Sequence, residues 1–94
     1  MYQSNEIKIY DDGEKCIDRF SVIYLNNLDR ETGLYECRAM SAHPLHPMGY
    51  CQMTLAKPGK HLGKSIQFTD LPVDCQKVIL SDYRLEANQY NLFT

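Results

Sequence analysis

The hydrophobic period changes along this chain, and that change constrains its fold more than any other feature. Between Ile7 and Leu55 apolar residues recur at every second position within short segments. From Leu71 onward they recur every three to four. The first period belongs to half-buried strands and the second to an amphipathic helix. Strands followed by a single helix predict an α+β fold: a small antiparallel β-sheet of four to five strands with one C-terminal helix packed on it. The 94 residues suit a single domain, 1–94, with a small core.

Ile7 and Ile9 alternate with Lys8 and Tyr10, and Asp11, Asp12 and Gly13 supply a turn. In IDRFSVIYLN, residues 17–26, apolar residues fall on both faces, which predicts a central strand or one covered on both sides. NLDRETG, residues 27–33, reads as a hairpin loop. In LYECRAMS, Tyr35, Cys37 and Ala39 are expected inward, with Glu36 and Arg38 facing water. YCQMTL resumes the alternation with Cys51, Met53 and Leu55 inward, and a short strand follows around Ser65 to Phe68. Asp70 is placed to cap the helix, Pro72 fits its first turn and Asp74 suits its positive end. Leu71, Cys75, Val78, Ile79 and Tyr83 form its apolar stripe. The tail NQYNLFT ends apolar, so Leu92 and Phe93 are expected to fold back on the sheet or meet another copy.

Two segments resist regular structure. In AHPLHPMG, residues 42–49, Pro44 and Pro47 each remove a backbone donor. His43, Leu45, His46, Met48 and the adjoining Tyr50 form the first candidate site, a stiffened loop carrying apolar groups and polar handles for a partner protein. The second segment is KPGKHLGK, residues 57–64. It differs from a phosphate loop because only three residues separate Gly59 from Gly63 and a strand follows it. Lys57, Lys60, His61 and Lys64 remain a candidate anion site for a negatively charged metabolite or nucleotide. Their alternative role is solubility on a solvated loop.

His43, His46, Cys37 and Cys51 include the atoms of a zinc set, but the spacing H-x2-H-x4-C matches no standard finger. No metal and no cofactor is therefore expected. The cluster Asp11, Asp12, Glu14 and Asp18 lacks the rhythm of a calcium loop. No local pattern activates a cysteine nucleophile, and no catalytic residues are assigned.

Ten basic against twelve acidic residues exclude a strongly basic nucleic-acid binder. No apolar run reaches the length of a membrane helix. Cys16, Cys37, Cys51 and Cys75 lie in segments with their own apolar faces, and no export signal or CxxC accompanies them, so reduced packed thiols and a cytoplasmic location are expected. Residues 1–37 are net acidic and 38–94 net basic, an asymmetry that suits two functional faces or a homo-oligomer. Seven tyrosines exceed what a small core can bury, so several are expected at the surface as interface anchors.

The words Tyr10-Asp11-x-Gly13, Asp18-Arg19-Phe20-Ser21-Val22, Met40-Ser41, His46-Pro47-x-Gly49, His61-Leu62-Gly63-Lys64 and Asp70-Leu71-Pro72 combine over residues 9–77. Together they resemble short accessory proteins of tailed bacteriophages and prophages, a family with no assigned reaction. The absent catalytic pattern, the tyrosine excess and the two irregular loops point to a non-enzymatic binding protein, and the resemblance implies one acting in the bacterial host cytoplasm. It also implies a mode of action: binding a host or defence protein and modulating it, most simply by inhibition.

Overall fold

The computed structural model describes residues 7–13, 15 and 18–89, the stretch 83–89 by its backbone alone. Cys16, Ile17, Leu92 and Phe93, and the side chain of Tyr83, lie outside this description. Strands β1 (Ile7–Asp11), β2 (Phe20–Asp29), β3 (Leu34–Met40) and β4 (Cys51–Ala56) form an antiparallel meander. Strand β5 (Lys64–Ile66) returns to pair with β1, giving the order β4-β3-β2-β1-β5. Helix α1 (Val73–Gln89) follows. The α+β architecture expected from the hydrophobic periods is the one observed.

Strand β2 is central, and its first half, Phe20–Tyr24, is buried on both faces, as its two-sided apolar pattern demands. Phe20, Val22 and Tyr24 meet Ile7, Ile9 and Met40 beneath Leu71, Cys75 and Ile79 of the helical side. On the opposite face Ile23 packs with Tyr10 and Cys37. The cover there is the connection 57–63, which crosses from the β4 edge to the β5 edge and lays Leu62 on that cluster. Gly63 permits the crossing. Its φ is +116°, and a Cβ at this position would stand 2.3 Å from the Asp11 carbonyl oxygen.

Several local expectations change. β2 runs three residues past Asn26, because a register shift between Tyr24 and Leu28 lets Leu28 and Asp29 pair with Tyr35 and Leu34. The turn therefore shrinks to Arg30–Gly33. There the Asp29 carboxylate accepts from the Glu31 N–H and the Thr32 hydroxyl. Asp70 does not cap α1. It closes the 3₁₀ turn Phe68–Asp70 by accepting from the Gln67 N–H at 2.9 Å, and the helix begins when Gln76 N–H reaches the Pro72 carbonyl.

Burial on β4 is the largest correction. Cys51, Met53 and Leu55 share the helix-side face but are exposed, because β4 is an edge strand that α1 does not cover. Arg38 is corrected too. It lies on the helix-side face and pairs with Asp82 of α1 instead of standing free in water. Of the tyrosines described, Tyr10 and Tyr24 are buried and Tyr35 and Tyr50 half-buried, so none is a fully exposed anchor.

Candidate functional site

The 42–49 loop joins the last residue pair of β3 and β4, and its shape follows from what closes it. Ser41 N–H donates to the Tyr50 carbonyl at 2.8 Å, and Tyr50 N–H donates to the Ser41 hydroxyl at 3.0 Å. Two successive turns lie above this clasp: His46 N–H to the His43 carbonyl, then Gly49 N–H to the His46 carbonyl. His46 also accepts the Met48 N–H at Nδ1, at 3.0 Å, which places the imidazole proton on Nε2. Gly49 approaches so closely that a Cβ there would fall 1.9 Å from the His43 carbonyl oxygen.

The loop is also anchored from below. Pro44 is buried, and Ala42 packs on the helix-side core. The Cys75 thiol of α1 donates to the Ser41 carbonyl at 3.4 Å. Burial pushes that thiol up to about 11, with the negative charge of Asp74 adding to the effect, so it stays protonated and able to donate. Leu45 and Met48 project from this fixed base, 57% and 88% exposed. His43 and His46 are exposed beside them, and Tyr50 is half-buried at the neck. The loop thus carries four of the five residues expected to meet a partner, with Tyr50 just beyond it. The Cys75 anchor had no local signal, since it lies 34 positions from Ser41.

The basic segment is different in kind. Lys57, Lys60, His61 and Lys64 are all exposed on the crossover and the start of β5. Its Gly63 serves the close passage over β1, and Leu62 seals the second face of the sheet. Lys64 also stands near the carboxylate of Asp11. Arg19 holds that carboxyl below its ordinary value through paired hydrogen bonds of 2.8 and 3.0 Å. Packing thereby accounts for Gly63 and Leu62, while Lys57, Lys60 and His61 extend into solvent.

Cys37 and Cys51 lie on opposite faces of the sheet, so they cannot share an ion with His43 and His46. Among the described residues no cluster of three histidine, cysteine or acidic side chains is placed to hold a metal. Among them, too, no helix is long and apolar enough to cross a membrane. Family models, curated proteins and solved structures contain no match to this chain.

Proposed function

We propose that this chain works by binding, and that the 42–49 loop is where it meets a partner protein. One observation carries the reading: two exposed apolar side chains, Leu45 and Met48, sit on a loop already fixed by its clasp, its turns and a buried proline. A loop ordered before binding loses little conformational entropy in the complex, so its apolar groups contribute more of their burial to affinity. The two histidines add directional hydrogen bonding at the rim. The resemblance to phage accessory proteins supplies the class of partner, a host or defence protein in the bacterial cytoplasm that is modulated by being bound.

The test compares the parent with a Leu45→Ser/Met48→Ser variant. Both are used as bait in host extract, and the partner so found is purified and titrated against each. The variant should melt as the parent does, because neither side chain is buried. Its affinity should fall at least about tenfold, equivalent to about 1.4 kcal/mol. Equal affinity for the isolated partner would place the binding surface elsewhere.

A further inference from the structure

The free edge of the sheet carries information that the loop does not. Strand β4 pairs with β3 on one side, and among the described residues no strand lies on its other side. The Ser41–Tyr50 bond fixes which of its backbone groups are already used. Residues 41 and 50 are opposite each other in the register that continues Met40↔Cys51, and the backbone bond from Ser41 N–H to the Tyr50 carbonyl sets the phase of the ladder. Antiparallel ladders alternate, so Gln52, Thr54 and Ala56 direct their N–H and C=O groups toward β3. Cys51, Met53 and Leu55 therefore direct theirs outward.

Natural sheets guard such edges with charge, proline or brevity. Strand β5 has two of these: it is three residues long and begins with Lys64. Strand β4 has none, because CQMTLA contains no charged residue and no proline. Its outward-bonding residues are also its apolar ones, and Met53 and Leu55 are 42% and 40% exposed.

We infer that β4 is the seam of a homodimer, in which two copies pair β4 to β4 antiparallel about a two-fold axis at Met53. The sequence of the strand is complementary to itself in that register. Directly opposed residues in an antiparallel pair share a face, so Met53 meets Met53 of the second copy, and Cys51 meets Leu55. Every outward N–H and C=O of these three residues then finds a partner. Gln52 meets Thr54 on the other face, polar against polar. The absence of charge on β4 matters here, since a two-fold axis places each residue near its own copy and any charge would repel itself. The arrangement extends two five-stranded sheets into one and sets the two 42–49 loops at opposite ends of the seam. It does not depend on what those loops bind.

Analytical ultracentrifugation over a range of concentrations, with two variants, tests the seam. The parent should sediment as a dimer that dissociates on dilution. Met53→Glu should weaken the dimer at least tenfold, because it brings two carboxylates together on the axis. The monomer should keep its melting temperature, since position 53 is solvent-accessible on the edge strand, 42% exposed. Met53→Cys, in a Cys51→Ser background, should form an intermolecular disulfide with diamide, as opposed Cα atoms of such a pair stand within disulfide reach. Thr54→Cys in the same background should not, because it lies opposite Gln52 of the second copy. A parent that remains monomeric up to about 1 mM would overturn the inference. A dimer that survives Met53→Glu, or that crosslinks equally at both positions, would also overturn it.

Discussion

Arg38 of β3 and Asp82 of α1 form the tie between sheet and helix, with Nη2 2.6 Å from Oδ1 and Nε 3.1 Å from Oδ2. The Tyr24 hydroxyl donates to the same carboxylate at 2.5 Å. Both ionic partners are half-buried, so the pair is neither a solvated surface bridge nor a fully desolvated one. The tie fixes how α1 lies across β2 and β3, and therefore how Cys75 reaches the loop base at Ser41.

Asp82→Ala should remove at one stroke the carboxylate that both Arg38 and the Tyr24 hydroxyl hydrogen-bond. A loss of about 1–3 kcal/mol is expected in urea titration, because the Arg38 guanidinium keeps some access to water while Tyr24 is buried. Ser81→Ala, one position away and exposed, should stay within about 0.5 kcal/mol of the parent. Equal effects from the two would mean that the tie contributes nothing to folding.

Ile79 is fully buried against the sheet and its neighbour Leu80 is 40% exposed. Ile79→Ala should cost about 2–5 kcal/mol and Leu80→Ala well under half of that. Chemical denaturation of the pair checks which face of α1 covers the core. A cost below about half a kcal/mol at Ile79 would show that it does not lie there.

The hydrophobic periods made the strands and the helix legible, and the two-sided pattern of β2 placed it centrally. Alternation, however, states only which residues share a face. Cys51, Met53 and Leu55 do share one, and nothing local says that α1 is too narrow to reach the edge strand bearing them. The same limit misassigned Arg38. Its alternate positions, Cys37 and Ala39, are buried on the far face, Cys37 in the cluster beneath the crossover, while Arg38 faces a helix carboxylate 44 positions later. At the candidate site, Pro44 and Pro47 announced an irregular loop correctly. The burial of Pro44 and the thiol anchor from α1 depend on packing between distant segments, which no local pattern encodes.

Gly63 and Gly33 separate two costs that a glycine can hide. Both have positive φ, +116° and +74°, but a Cβ at Gly33 would meet nothing within 4 Å while one at Gly63 would strike Asp11 backbone. Gly33→Ala should cost about 1–2 kcal/mol, the conformational penalty alone. Gly63→Ala should cost more than about 2 kcal/mol, because β1 or the crossover must also shift. Thermal melts of the two variants side by side give the comparison. Similar costs would mean that the crossover is not packed tightly on β1.

The thiols offer a prediction in pH. Burial pushes Cys37 and Cys75 up to about 11 from an ordinary 9.0, so the folded chain holds these protons more tightly than the unfolded one. A raised folded value contributes stability that is complete below the unfolded value and lost as pH rises through the folded one. Stability should therefore decline between about pH 9 and about pH 11, and part of that decline should vanish in a Cys37→Ala/Cys75→Ala variant. Urea titrations across this range, parent against variant, isolate the thiol contribution from that of lysines and tyrosines, which both proteins share. Alkylation gives an independent reading at about pH 8, where reaction needs an accessible thiolate. Cys51 is exposed and should be modified by iodoacetamide in the native protein, while Cys37 and Cys75 should react only as fast as the fold opens. Peptide mass spectrometry distinguishes the three. Rapid native labelling of Cys75 would show that it does not hold the base of the 42–49 loop from within the core.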